Sequence, residues 1–396
     1  RWTVRFTQPA GQTAALKLSE DAQPGWTLES VQCTLDAQPL TVTVSGTSVT
    51  IPGLKPNSGA LSCVFTNREA TPASVIVDKQ WVIDGETVAH GSQPDGMDAA
   101  LSLDPAGSGS GDLGWGQTRT GFVIGDKLKI GEATTFDPAL VPGCVLTGST
   151  IAGTGITGSV ALASTGYETT LGSASNAYMV TNTVQCQRLT LVKNVENSFG
   201  GSATSDDWND GLFAQLGASP QLVFDSGDTK YVATGSYVLS EADIDGYSQD
   251  DLTCTGGTLN SGTVTVAAGA NVVCTFTNVD NPGSVTWTKI AADTSDLLGG
   301  SEWLLTGPGL GSGVTVTDCI ETDAADCRSL DKDPAAGAFL LESLHWGDYT
   351  LTETSAPLGY MLDSTSHQFT ISGAALAVSA DPIENTLATP PTLPLT

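Results

Sequence analysis

The chain has 396 residues, with 43 acidic against 15 basic side chains and a formal net charge of −28. An acidic excess of this size argues against nucleic acid or an anionic membrane surface as partner, and it favours solubility. Glycine, serine and threonine are abundant, helix-favouring runs are scarce, and turn signals recur about every 8–12 residues, which predicts an all-β chain of tandem sandwich domains.

Residues 1–69 open abruptly on Arg1-Trp2-Thr3, like a piece of something longer. They carry two strand patterns, LKLSE ending at Glu20 and LSCVFTN ending at Asn67. No lysine-bearing strand precedes them, because Lys17 alternates with Leu16 and Leu18 rather than sharing their face. A truncated, least stable first domain is expected.

Residues 70–187 begin with VIVDKQWVI, where Val75, Val77, Lys79, Trp81 and Ile83 share one face. LKIGE follows, ending at Glu132, and then YMVTN, ending at Asn182. A Gly/Ser-rich insert, AGSGSGDLGWG at 106–116, reads as an exposed loop presenting Trp115.

Residues 188–280 repeat the scheme with LTLVKNV (Lys193), YVLSE (Glu241) and VVCTFTN (Asn278). Residues 284–386 repeat it again with VTWTKI (Lys289), YTLTE (Glu353) and PIEN (Asn385), a Pro/Gly turn at Ala356–Tyr360 ending the glutamate strand. Residues 387–396, LATPPTLPLT, read as an extended Pro-rich linker.

The eight cysteines fall two to a unit, Cys33/Cys63, Cys144/Cys186, Cys254/Cys274 and Cys319/Cys327. Without CxxC or Cys/His zinc spacing, they are expected to form four disulfides in an oxidising, extracellular setting, with Cys254–Cys274 pinning the two sheets of its unit. His90, His345 and His367 are isolated, and Asp206–Asp210 and Asp243–Asp251 lack the Gly and Glu positions of a calcium loop. No metal or cofactor is expected. No nucleophile–His–acid set and no phosphate loop appears, so the chain is not expected to be an enzyme.

The shared parity aims one Lys, one Glu and one Asn into the core of each of the last three units. Burial lowers the pKa of an amine and holds a carboxylic acid neutral. A neutral amine against a carboxamide can displace ammonia and leave a Lys–Asn isopeptide bond, with the acid shuttling protons. The expected pairs are Lys79–Asn182, Lys193–Asn278 and Lys289–Asn385, with Glu132, Glu241 and Glu353 as their single-turnover catalysts. The alternative is a buried ion pair beside a hydrogen-bonded asparagine.

VTWTKI, LLGGSEWLL (297–305), YTLTETSAPLGY (349–360) and PIENT (382–386) together resemble the collagen-adhesin B-type, SpaA-like (prealbumin-like) pilin domains of Gram-positive bacteria. The other units resemble related prealbumin-like domains of actinobacterial surface proteins. The resemblance implies that Lys289 and Asn385 are bonded and that Glu353 is the catalyst. Leu393-Pro394-Leu395-Thr396 resembles the start of a sortase signal cut after threonine. That implies sortase as a partner, attachment through Thr396 to a peptidoglycan precursor or another pilin, and an extracellular, cell-wall-anchored location. The family's shaft pilins carry a YPK-type lysine motif, which is missing here. The expected role is therefore the stalk of an anchored adhesin or of a tip or accessory pilin. The competing role is a module binding a host or matrix ligand, with Trp115 as its candidate contact.

Overall fold

In the computed structural model, which describes residues 13–23, 25–55, 59–109 and 112–389, nearly every regular element is a β-strand. Two short 3-10 turns, Ser205–Trp208 and Ala324–Asp326, complete the inventory among the described residues. The chain divides into two compact units, Arg1–Gln185 and Cys186–Thr396.

Within the first unit, residues 14–69 form two three-stranded sheets. One runs Ala14–Ser19, Ser48–Leu54, Thr43–Ser45, and the other Gln38–Leu40, Trp26–Leu35, Leu61–Glu69. Their core is small: Cys33, Val49, Ile51 and Leu54 are its buried apolar side chains. In residues 72–185 the Pro72–Ile83 strand lies beside Ser175–Gln185, and Lys127–Phe136 is the middle strand of a three-stranded sheet. Alternation decides what is buried: Ala73, Val75, Val77, Lys79, Trp81 and Ile83 all point inward, with neighbours between them turned away.

The second unit repeats this twice. Arg188–Glu196 pairs with Asn271–Asp280, while Gly235–Glu241 is the middle strand of a five-stranded sheet. Gly283–Ala291 pairs with both Ala377–Ser379 and Ile383–Asn385, and Gly347–Ser355 sits inside a four-stranded sheet. Each of the two segments packs its own apolar core, around Trp208 and Phe276 in one and Trp287, Trp303 and Phe339 in the other.

One topological feature positions everything that follows. In the second, third and fourth segments the opening and closing strands run parallel as neighbours, whereas the other strand pairings are antiparallel. The lysine and asparagine strands therefore share a sheet, and the glutamate strand belongs to another.

The third and fourth segments also touch. Trp346 donates its backbone N–H to Phe199 O (2.7 Å) and its indole N–H to Asn281 O (2.9 Å). Its ring meets Tyr247 edge-on at 5.5 Å. The loop carrying Phe199 is tied down by buried Asp280, whose carboxylate accepts from the N–H groups of Ser198, Phe199 and Gly201.

The disulfides correct one expectation. Cys33–Cys63 and Cys254–Cys274 each join directly opposed residues of adjacent antiparallel strands, 4.1 Å apart at Cα, so each staples one sheet rather than linking two. Cys319–Cys327 closes a short loop, and Cys144 and Cys186 are disulfide-bonded as well.

Candidate functional site

The same register recurs in three segments. Across the parallel strand pair, Lys79 stands opposite Val180, Lys193 opposite Phe276 and Lys289 opposite Ile383. In every case the asparagine lies two residues further along the closing strand, on the same face. In the fourth segment the lysine side chain reaches it diagonally, and the glutamate closes the group.

The fourth segment brings its three residues closest. Lys289 Nζ donates to Asn385 Oδ1 at 2.5 Å and pairs with Glu353 Oε1 at 3.2 Å. Asn385 Nδ2 donates to both carboxylate oxygens of Glu353, at 3.0 and 3.1 Å. The backbone N–H of Asp363 holds Glu353 Oε2 at 2.8 Å. All three side chains are buried, Lys289 completely. Burial pushes the Lys289 amine below its ordinary pKa, against the opposing pull of Glu353.

In the second segment Lys79 Nζ lies 3.1 Å from Glu132 Oε2, and Asn182 Nδ2 donates to the same oxygen at 3.2 Å. Asn182 Oδ1 faces Ser149, whose hydroxyl donates to it at 2.7 Å, and Thr134 Oγ1 lies 3.3 Å from the amide nitrogen. Burial lowers the Lys79 pKa to about 8, partly offset by Glu132. In the third segment Lys193 pairs with Glu241, and burial again lowers the amine pKa. Asn278 is buried two residues beyond Phe276, the strand partner of Lys193, and its Oδ1 has no hydrogen-bond partner among the described residues.

A fourth component escaped the sequence reading. Each amine faces an indole: Lys79 with Trp81 at 4.6 Å, Lys193 with Trp208 at 4.1 Å and Lys289 with Trp303 at 5.2 Å, measured to ring centroids. Trp81 shares strand parity with Lys79 and was in view. Trp208 sits on a 3-10 turn that no strand periodicity marks. The first segment keeps two corners of the arrangement: Asn67 Nδ2 donates to Glu20 Oε2 at 2.9 Å, close to solvent.

Trp115 is not the exposed contact expected of it. It is half-buried, donates its indole N–H to Ala99 O at 2.6 Å, and lies 5.7 Å from the Lys79 amine. Leu393, Pro394, Leu395 and Thr396 lie outside the described residues.

A buried amine, acid and carboxamide bridging a β-sandwich and repeated along one chain define a class: tandem prealbumin-like domains carrying an internal Lys–Glu–Asn group. Residues 3–69, 184–276 and 283–384 each match a family described as a prealbumin-like fold domain of the SpaA group. Together these matches span most of the sequence, and the chain belongs to the SpaA-type prealbumin-like domain proteins. No curated protein matches it.

Solved structures similar to it include the Bacillus anthracis TIE protein, at 14% identity and TM-score 0.36, covering 95% of this chain and 69% of that one. The pilus adhesin SpaC of Lactobacillus rhamnosus GG is similar at 13% identity and TM-score 0.32, covering 95% of this chain and 55% of that one. This chain thus spans little more than half the length of that adhesin. The major pilin subunit BcpA of Bacillus cereus is similar at 12% identity and TM-score 0.30, covering 79% of this chain and 99% of that one. These scores are low, and the family assignment rests on the three domain matches.

Proposed function

We propose that the chain is the structural stalk of a surface adhesin or of a tip or accessory pilin, stiffened by Lys–Asn isopeptide bonds. The observation that carries this reading is the sealed contact among Lys289, Glu353 and Asn385. In the proposed reaction a proton passes from the Lys289 amine to Glu353, and Nζ then attacks Cγ of Asn385. The Nζ–Cγ bond forms and the Cγ–Nδ2 bond breaks. Glu353 returns its proton to the departing nitrogen, which leaves as ammonia, and takes up the second proton that Nζ sheds on becoming an amide. The packed core supplies the proximity.

Lys79–Glu132–Asn182 and Lys193–Glu241–Asn278 are proposed to react in the same way. Each event happens once, so the chemistry is self-maturation rather than turnover. A bond between opening and closing strands puts a covalent path between the two ends of a domain. Tension entering at one end then leaves at the other without unzipping the sheet.

The proposed domains are 1–69, 70–187, 188–280 and 284–386, followed by the linker 387–396. Its Leu393-Pro394-Leu395-Thr396 would belong to a sortase signal, with attachment through Thr396 to a peptidoglycan precursor or another pilin. The half-burial of Trp115 argues against the ligand-binding alternative at that site. Tandem mass spectrometry of protease digests tests the central claim: a branched peptide joining the Lys289 and Asn385 strands is expected. Separate, unmodified peptides from a folded sample would overturn it.

A further inference from the structure

In three segments a lysine amine is met by an indole and a carboxylate, and in the fourth segment also by the carboxamide of Asn385. The first segment gathers the same three groups around an open cleft of about 270 Å³, lined by Trp26, Glu20 and Asn67 with Thr27 and Thr47. Asn67 donates to Glu20 at 2.9 Å, the same amide-to-acid bond that Asn182 and Asn385 make. No lysine lines this cleft.

We propose that this cleft binds the protonated side-chain amine of a lysine presented by another polypeptide. With its NH2 committed to Glu20, Asn67 has its carbonyl oxygen left to accept from an ammonium, the role Asn385 Oδ1 plays for Lys289. Glu20 supplies the opposing charge and has no ion-pair partner among the described residues. Trp26 is 54% exposed, so its ring is open to a cation that its buried counterparts already hold.

Openness also decides the chemistry. Asn67 is solvent-exposed, so an arriving amine stays hydrated and protonated and is no nucleophile. The cleft therefore binds lysine without bonding to it. One exposed ion pair and one aromatic contact together give an affinity on the order of tens of millimolar, useful where several copies act together. The inference uses the geometry around the three internal lysines and does not depend on whether they are crosslinked.

The test is an amide and indole NMR titration of the whole chain with Nα-acetyl-lysine methylamide, alongside its Nε-acetylated analogue. Saturable shifts are expected at the Trp26 indole and the Asn67 side-chain amide, with the Trp208 and Trp303 indoles unmoved. Glu20→Gln should weaken binding about fivefold or more, and the acetylated analogue should leave these signals in place. Unchanged signals at about 200 mM probe, or equal binding of the two probes, would overturn the proposal. Trp26→Ala changes an exposed residue, so loss of binding in that variant with the other indole signals intact separates a binding defect from misfolding.

Discussion

Lys289 and Asn385 lie 96 residues apart in sequence, yet the amine of one is 2.5 Å from the carboxamide oxygen of the other. The parallel register and the two-residue offset produce this contact, and Glu353 completes it from the facing sheet. The intact chain is expected to weigh one ammonia less for each isopeptide bond, beyond the hydrogens lost to disulfides. Glu353→Ala should restore one ammonia. It should also cost the fourth segment roughly 4–5 kcal/mol, the loop-closure entropy of a ring this long, read as a lower denaturant midpoint. An ammonia deficit that persists in this variant would remove Glu353 from the reaction.

Asn278 offers a test whose two outcomes have opposite signs. Its buried Oδ1 has no partner among the described residues, so in an uncrosslinked domain Asn278→Leu would remove an unsatisfied polar group and leave stability unchanged or raised. In a crosslinked domain the same change opens a ring of about 85 residues and costs about 4–5 kcal/mol. We expect the loss, together with one recovered ammonia. Mass and denaturation of the same sample decide it.

Strand parity made the buried lysine, glutamate and asparagine positions legible, because a period of two is visible in any six-residue window. Lys289, Trp287 and Val285 point inward together for that reason. Contacts between strands distant in sequence were not legible. Ser149 and Thr134 reach Asn182 from other strands, and Asp363 reaches Glu353 through a backbone N–H that no side-chain pattern announces. The misreading of Trp115 has the same origin. A glycine-rich stretch looks exposed in sequence, but here it folds back so that the indole meets the carbonyl of Ala99.

The first segment depends most on its disulfide. Its core has few buried side chains, and one of them is Cys33 itself. Cys33–Cys63 closes a loop of 30 residues, worth about 3–4 kcal/mol in the chain-entropy account. Mild reduction should therefore release residues 13–69 before the other segments, seen as early loss of hydrogen-exchange protection in the Trp26–Leu35 strand. Simultaneous loss along the whole chain would contradict the ranking of cores.

The joint between the third and fourth segments is tight enough to fail on one methyl group. Gly246 has φ +84°, and a Cβ there would lie 2.4 Å from Gly373 Cα and 2.6 Å from the Trp346 ring. Gly246→Ala should force the two segments apart and free Trp346 from Tyr247 and Asn281. Small-angle scattering of the 186–389 piece should then show a broader distribution of end-to-end distances than wild type. The two internal ammonia deficits should be unaffected, because neither amine lies at this joint.

The second segment carries a pH signature. Burial holds the Lys79 pKa near 8 in the folded chain, against about 10.4 for an exposed lysine. Between these values the unfolded chain binds the extra proton, so folding becomes more favourable as pH rises. The penalty is fully present below about pH 8, relieved progressively above it, and gone beyond the unfolded value; its full size is about 3 kcal/mol. An amide nitrogen does not titrate in this range, so a crosslinked Lys79 would lack this dependence. Asn182→Ala keeps the amine and removes its reaction partner. Its second segment should therefore gain stability from pH 8 towards 10, measured by hydrogen exchange of peptides from 72–83 and corrected for intrinsic rates, while wild type stays flat. Matching slopes in the two proteins would mean that Lys79 remains a free amine.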